Sequence, residues 1–222
     1  MTRELAGVID HTLLAPTATA DDVRAAAAEV QEYGFYSLCV ASRWAPLARQ
    51  VLGESRLCCV VGFPHGNASK AAKAAESTQA VADGAVELDM VIDLGAARAG
   101  DLKAVEADVA AVVGAAGAFP VKAILETAYF NDPSMIADLS RAAVAGGAAF
   151  VKTSTGFGPG GATLQAVRSM RAAVGADIGV KASGGVRTAE DVARYLEAGA
   201  TRIGASQSIA IVSGSAAKAD GY

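Results

Sequence analysis

The stretch Asp83-Gly84-Ala85-Val86-Glu87-Leu88-Asp89-Met90-Val91-Ile92 contains the pattern that decides the fold of this chain. An Ala-rich segment ends at Gly84, and a short β-rich run follows at once. A Gly just past the end of a helix adopts the left-handed conformation that closes the last turn. Junctions of the same form occur at Tyr33-Gly34-Phe35, Gly146-Gly147-Ala148, Val174-Gly175-Ala176 and Ala198-Gly199-Ala200. The sequence therefore predicts helices and strands in alternation.

Eight segments have the composition of strands. They are Val8–His11, Tyr36–Ala41, Leu57–Phe63, Ala85–Ile92, Phe119–Leu125, Ala148–Thr153, Ile178–Ala182 and Thr201–Gly204. Helix starts are predicted at Thr19, at Asn131-Asp132-Pro133 and at Thr188, where capping residues or a first-turn Pro are found. The 222 residues leave about 28 for each strand–helix unit, which predicts a compact (β/α)8 TIM barrel. A doubly wound open sheet is the alternative, although no Gly-x-Gly-x-x-Gly follows the first strand.

Composition excludes several classes of protein. The net charge of −4 has no long run of either sign, so nucleic acid is not expected as a partner. No segment supplies the ~18 apolar residues of a membrane helix, and the N-terminus has no secretory apolar region. Three Cys and two His residues show no metal-ligand spacing, which favours a reducing cytoplasm and no metal. No linker divides the chain, so we predict one domain over residues 1–222, with 213–222 as a flexible C-terminal tail.

Charged residues lie inside the predicted strands, where a buried parallel strand should be apolar. Alternation puts Glu87 and Asp89 on one face of their strand, and Lys122 on one face with Glu126. One face of every barrel strand points inward, so these side chains should meet. The set predicted to converge is Asp10, Glu87, Asp89, Glu126, Lys122, Lys152 and Lys181. Buried charges persist only when paired, and barrel enzymes build their sites at the C-terminal strand ends, so we predict a charged catalytic pocket.

Lys152 and Lys181 end consecutive predicted strands and should lie about one strand spacing apart. An ordinary Lys has a pKa near ~10.4, so a nucleophilic Lys must be made to release its proton. A second ammonium group and an apolar wall lower the pKa of an amine. This arrangement favours an enzyme that forms a Schiff base, with the carboxylates as proton shuttles. Gly-rich loops after the last strands predict in addition a phosphorylated ligand.

Several motifs together resemble deoxyribose-phosphate aldolases. The most specific are Phe150-Val151-Lys152-Thr153-Ser154-Thr155-Gly156-Phe157 and Gly179-Val180-Lys181-Ala182-Ser183-Gly184-Gly185-Val186-Arg187. Further matches are Ile9-Asp10-His11-Thr12-Leu13-Leu14, Val61-Gly62-Phe63-Pro64-His65-Gly66, Glu87-Leu88-Asp89-Met90-Val91-Ile92, Lys122-Ala123-Ile124-Leu125-Glu126-Thr127 and Arg202-Ile203-Gly204-Ala205-Ser206. The resemblance extends in order from residue 9 to residue 206.

The resemblance implies a class I aldolase that needs neither metal nor organic cofactor. Such enzymes reversibly cleave 2-deoxy-D-ribose 5-phosphate into acetaldehyde and D-glyceraldehyde 3-phosphate, so sugar phosphates and aldehydes are the expected partners. Lys152 is implied as the Schiff-base residue, Lys181 as the group that lowers its pKa, and Asp89 as the partner in proton transfer. Asp10, Thr12, Lys122 and Glu126 are expected in the supporting network. The residues implied for phosphate binding are Gly156, Gly184, Gly185, Gly204 and Ser206.

Other features leave alternatives open. Family members often end in Tyr, so we hypothesise that Tyr222 visits the barrel mouth and assists proton transfer. Gln207 stands where a small residue is more usual, and it either crowds the phosphate or points outward. The competing functions are another Schiff-base aldolase for longer sugars, a metal-dependent aldolase or isomerase that a chelator would inactivate, and a catalytically silent sugar-phosphate-binding barrel. The oligomeric state stays open, with a homodimer among the options.

Overall fold

Every strand in the computed structural model, which describes residues 2–130 and 132–215, pairs in parallel with its neighbours in the chain. The first strand also pairs with the last, where Asp10 lies in register with Gly204, so the sheet closes into a barrel. The strands are β1 (Ile9–Leu13), β2 (Ser37–Ala41), β3 (Arg56–Val61), β4 (Glu87–Val91), β5 (Val121–Ile124), β6 (Phe150–Lys152), β7 (Gly179–Ser183) and β8 (Arg202–Ala205). The predicted (β/α)8 barrel is confirmed, and the open-sheet alternative is wrong.

Helices alternate with these strands and cover the outside of the barrel. They are α1 (Thr2–Ala6), α2 (Ala20–Tyr33), α3 (Ala45–Leu52), α4 (Lys70–Ala82), α5 (Leu94–Ala99), α6 (Leu102–Ala116), α7 (Pro133–Ala145), α8 (Leu164–Val174), α9 (Ala189–Glu197) and α10 (Ser208–Ser213), with short 3₁₀ turns at Ser42–Trp44 and Thr127–Tyr129. The predicted tail 213–222 thus begins inside α10. In the described part of the chain, no helix is long and apolar enough to cross a bilayer.

The helix ends follow the signals in the sequence. Thr19 and Thr188 form capping boxes at the starts of α2 and α9, and Asp132 caps α7 with Pro133 in the first turn. Gly34 ends α2 with a φ of 72°, the left-handed conformation expected of a terminating Gly. Local chemistry therefore sets most of the boundaries between elements.

Several strands are shorter than predicted, and for the third and the fifth the reason is local. The third ends at Val61 rather than Phe63, because Gly62 turns the chain with a φ of 62°. The fifth begins at Val121 rather than Phe119, and the intervening Pro120 has no N–H to donate to a neighbouring strand.

The two faces of β4 show how the barrel divides apolar from charged residues. Leu88, Met90 and the following Ile92 belong to the apolar layer between sheet and helices, and all three are fully buried. Glu87 and Asp89 point into the barrel and are also buried. Inside the barrel, Cys39, Cys58 and Val60 form a separate apolar cluster with Leu14 and the partly buried Phe63. The interior therefore has an apolar side on β2 and β3 and a charged side on β1 and on the strands from β4 onwards.

Candidate active site

Asp89 lies on the inward face of β4, and it is fully buried. Its Oδ1 accepts a hydrogen bond from Lys122 Nζ at 2.7 Å. Its Oδ2 accepts from Lys152 Nζ and from Lys181 Nζ, each at 2.7 Å. The Cys58 thiol also donates to Oδ1, at 3.1 Å. One carboxylate thus joins lysines from three consecutive strands, β5, β6 and β7.

Asp10 joins the first strand of the barrel to the last two. Its Oδ2 accepts from Lys181 Nζ at 2.6 Å, and its Oδ1 accepts from an Arg202 N–H at 2.9 Å. The Ser37 hydroxyl donates to the same Oδ1 at 2.8 Å. Closure of the barrel between β1 and β8 therefore brings Asp10 and Arg202 into direct contact.

Glu87 completes this set of contacts, with its Oε2 at 2.6 Å from Lys122 Nζ and 3.1 Å from Arg202. We call the connected set the charge ladder. Its members are Asp10, Glu87, Asp89, Lys122, Lys152, Lys181 and Arg202. Arg202 and Glu87 are the first residues of β8 and β4, whereas Lys152 is the last residue of β6. The ladder therefore runs through the barrel from the N-terminal strand ends to the C-terminal mouth.

Lys152 and Lys181 lie opposite each other in the pairing of β6 with β7. Both ammonium groups contact the same Asp89 oxygen, so the two nitrogens converge on one point. The sequence places the lysines on adjacent strands but does not show that a carboxylate lies between them. Because this carboxylate offsets the positive charge of one lysine, the pair by itself does not account for release of a proton from Lys152.

The cations of the charge ladder keep its buried carboxylates ionised. Burial opposes the charge on Asp89, but Lys122, Lys152 and Lys181 outweigh it and hold the pKa of that carboxyl well below its usual range. Burial likewise opposes the charge on Asp10, yet its cationic neighbours lower the pKa of that group.

The carboxylates of the ladder in turn keep Lys122, Lys181 and Arg202 protonated, although burial opposes their charge. Burial disfavours the charged form of Lys181, but Asp10 and Asp89 raise its pKa. The pKa values of Lys122 and Arg202 are raised in the same way, against burial, by the carboxylates beside them. Lys181 therefore stays an ammonium group at neutral pH.

Lys152 has fewer carboxylate contacts than the other lysines of the ladder. Within the described residues, Lys181 contacts two carboxylates and Lys122 three, whereas Lys152 contacts Asp89 alone. Lys152 also lines the cavity at the C-terminal mouth of the barrel. It is thus the amine of the ladder that an incoming carbonyl group can reach.

The cavity above Lys152 brings together all five residues predicted to bind phosphate. Its lining includes Gly156, Gly184, Gly185, Gly204 and Ser206. Gly184 and Gly185 have φ values of 84° and 76°, a conformation that favours glycine. Gly204 has a further steric role, because a Cβ there would lie 3.0 Å from Lys181 Cε. Thr12 and Gln207 line the same cavity, so Gln207 faces the predicted phosphate site.

Glu126 lies apart from the charge ladder, although alternation along β5 groups it with Lys122. It follows β5 with a φ of 53°, a left-handed backbone that ends the alternation of faces. Its carboxylate accepts from the Thr155 hydroxyl at 2.5 Å and from the Thr155 amide. Burial raises the pKa of this carboxyl. Glu126 therefore ties the end of β5 to the Thr155–Gly156 loop.

The structure also shows residues that the sequence analysis did not single out. Arg202 is the most important, since it occupies the far end of the charge ladder. Because Gly204 lines the site from the same strand, the two-residue period would have placed Arg202 on the inward face. Ser37 and Cys58 are the other additions. Tyr222, by contrast, lies outside the described residues.

Cys39, Cys58 and Asp89 are close enough to form a metal site, with ligand atoms within 4.8 Å of one another. Their surroundings do not suit a cation, since three ammonium groups already occupy the oxygens of Asp89. Burial also raises the pKa of the Cys58 thiol well above its usual range, and a thiol must ionise to bind a metal. The chemistry of these donors therefore does not fit a metal ion.

Comparison with known proteins identifies the family. The sequence matches the family described as DeoC/LacD family aldolase over residues 5–217. The chain belongs to this family of aldolases. It is 49% identical to deoxyribose-phosphate aldolase 1 of Bacillus licheniformis, over 99% of this chain and 100% of that protein. It is 50% identical to the deoxyribose-phosphate aldolase of Mycobacterium avium, over 95% of this chain and 96% of that one.

Solved structures place this aldolase among the same proteins. A structure described as a putative deoxyribose-phosphate aldolase from Coccidioides immitis superimposes with a TM-score of 0.93 at 36% identity, covering 96% of this chain and 86% of that one. The deoxyribose phosphate aldolase of Aeropyrum pernix, described as tetrameric, gives a TM-score of 0.88 at 34% identity, covering 96% and 91%. This aldolase is therefore a carbon–carbon lyase on a TIM barrel.

Proposed function

We propose that this aldolase reversibly cleaves 2-deoxy-D-ribose 5-phosphate into acetaldehyde and D-glyceraldehyde 3-phosphate through a Schiff base on Lys152. The observation that carries the proposal is the position of Lys152. Its amine lies 2.7 Å from Asp89 Oδ2 and lines the cavity that also contains the Gly-rich loops after β6, β7 and β8. The names of the relatives support the choice of substrate.

The chemistry requires Lys152 to attack as a neutral amine. Its nitrogen adds to the C1 aldehyde of the open-chain sugar, and loss of water gives an iminium ion. A base then takes the proton of the C3 hydroxyl, the C2–C3 bond breaks, and its electron pair passes to the iminium nitrogen. Glyceraldehyde 3-phosphate leaves, and an enamine remains on Lys152. Protonation of the enamine carbon and hydrolysis release acetaldehyde and restore the amine.

Asp89 and Lys181 are the groups beside Lys152 that can move these protons. Asp89 Oδ2 accepts from both lysines, so one oxygen connects the nucleophile to its ionised neighbour. A well-placed shuttle of this kind contributes about 10²–10⁴-fold to the rate. Asp10, on the other side of Lys181, holds that ammonium group in place at 2.6 Å.

The experiment that tests the proposal is trapping of the iminium ion. Reduction with borohydride in the presence of acetaldehyde, followed by peptide mass mapping, should give a stable adduct on Lys152. The exposed Lys103 provides an internal control and should stay unmodified. An adduct on another lysine, or none, would refute the Schiff-base assignment.

The phosphate site can be tested at Ser206, an exposed residue that lines the cavity. Ser206→Asp places a carboxylate beside the proposed phosphate position, and like charges repel. The KM for 2-deoxy-D-ribose 5-phosphate should rise at least about tenfold, an amount equal to ~1.4 kcal/mol. The KM for unphosphorylated deoxyribose should change little.

The matched control for this change is Ser206→Ala, which removes the hydroxyl without adding charge and should give a smaller rise in KM. Equal effects of Ser206→Asp on the phosphorylated and unphosphorylated sugars would place the phosphate elsewhere.

A further inference from the structure

Arg202 is a buried cation at the end of the barrel opposite to the catalytic mouth. Its side chain is 6% exposed, and its guanidinium carbon lies 3.3 Å from the centre of the Tyr36 ring. Phe150 lies on it as well, at 5.3 Å. Its N–H groups contact Asp10 and Glu87. The long, weakly hydrated guanidinium group suits such a stacked and paired position better than an ammonium group would.

The charges of the ladder do not balance when all of its members are ionised. Among the described residues that it connects, the carboxylates are Asp10, Glu87 and Asp89, and the cations are Lys122, Lys152, Lys181 and Arg202. Four cations therefore face three carboxylates. Buried charge that lacks a partner is costly, so the set is favoured when one cation becomes neutral. Lys152 is the cation with the fewest carboxylate contacts.

We propose that Arg202 is a positioning residue for the reaction: as the fourth cation of the charge ladder, it makes the neutral form of Lys152 favourable at neutral pH. The inference rests on the proposed function, because it needs Lys152 to be the nucleophile. Without Arg202, Lys122 and Lys181 would neutralise two of the three carboxylates, and the third negative charge would favour the protonated form of Lys152. Arg202 neutralises that third negative charge through its contacts with Asp10 and Glu87, and it does so without contacting the substrate.

Other titratable groups also face the two ends of this arrangement. Around Lys152 they are Asp89 on β4, Lys122 on β5, Lys181 on β7, Glu126 after β5, Cys39 on β2 and Arg187 at the cavity rim. Around Arg202 they are Asp10 on β1, Glu87 on β4 and Tyr36 before β2. Glu126 bonds to Thr155 rather than to a cation of the ladder. Its contribution is the same in the variants below, so it does not change the direction of their effects.

The test is the pH dependence of borohydride trapping on Lys152, measured as the midpoint at which the adduct forms. β6 and β8 are two strand spacings apart, roughly 10 Å, so removal of a charge should shift the midpoint by about one pH unit. Arg202→Gln removes a positive charge, which favours the protonated amine. Its midpoint should move to higher pH, and the pH profile of kcat/KM should move with it. Arg202→Lys keeps the charge and should restore a midpoint close to that of the original protein.

Glu87→Gln provides a second variant with the opposite sign. It removes a negative charge from the same ion pair, so its midpoint should move to lower pH. The double variant Arg202→Gln, Glu87→Gln removes one charge of each sign and should return towards the original value. A merely structural role for Arg202 would lower stability without producing shifts of opposite sign.

The outcomes separate this inference from the proposed function. An adduct that forms on Lys152 with the same midpoint in all variants, or shifts in one direction for both single variants, would overturn the role of Arg202 and leave the Schiff base intact. An adduct on a different residue would overturn both. If Arg202→Gln does not fold, comparison of the double variant with Glu87→Gln isolates the charge of Arg202. A midpoint at higher pH in the double variant supports the proposal, and equal midpoints overturn it.

Discussion

Lys152→Leu is expected to abolish cleavage of 2-deoxy-D-ribose 5-phosphate, with a loss of activity on the order of 10⁴-fold or more. The proposed covalent intermediate cannot form without the amine, and no other described lysine of the ladder lines the cavity at the mouth. A spectrophotometric assay of glyceraldehyde 3-phosphate release measures the effect. Lys103→Leu is the matched control, since it removes the same group from an exposed position, and its activity should be unchanged.

The same substitution should leave the protein as stable as before, or more stable. Lys152 contacts Asp89, and that carboxylate keeps Lys122 and Lys181 as partners when Lys152 is removed. The ladder then has three cations for three carboxylates, and the amine that is replaced is the one favoured in its neutral form, so no buried charge loses its last partner. Thermal unfolding of both proteins tests this. A large fall in the unfolding temperature would mean that the ladder needs Lys152 for its stability. It would contradict the view that the ladder has one cation in excess.

Asp89→Asn is expected to have the largest effect on stability, about 3–5 kcal/mol in the free energy of unfolding. The substitution leaves Lys122, Lys152 and Lys181 around a neutral amide in a buried site. Activity should be lost as well, because the shared oxygen is the proposed route for the proton. Urea unfolding measures the first effect. The matched control is Asp138→Asn, on the surface pair with Arg141, which should change stability by less than about 0.5 kcal/mol.

The effect of Asp89→Asn on the free energy of unfolding should depend on pH with a definite sign. The pKa of Asp89 is lowered in the folded protein, so its contribution is fully present above the unfolded value of ~3.9. That contribution is lost as the pH falls through the folded-state pKa. The difference between the original protein and Asp89→Asn should therefore be constant above about pH 5 and shrink below about pH 4. A difference that grew on acidification would contradict the ionised state of Asp89.

Prediction from sequence succeeded where a local rule decides the outcome. The alternation of β4 placed Glu87 and Asp89 inward because successive side chains of any strand point to opposite faces. The same rule failed for Glu126, whose left-handed backbone after β5 redirects the side chain towards Thr155. The residues around Glu126 do not predict this conformation, because positive φ values are typical of glycine and uncommon for other residues.

The sequence by itself determined the alternation of helices and strands, their capped ends and the presence of charges inside strands. These properties depend on backbone preferences and on burial within a few neighbouring residues. Only the tertiary structure decided which charges pair, that Asp89 lies between Lys152 and Lys181, and that Arg202 contacts Asp10 across 192 residues of chain. The physical reason is that ionic contacts depend on distance in space, and closure of β8 onto β1 sets that distance independently of separation along the chain.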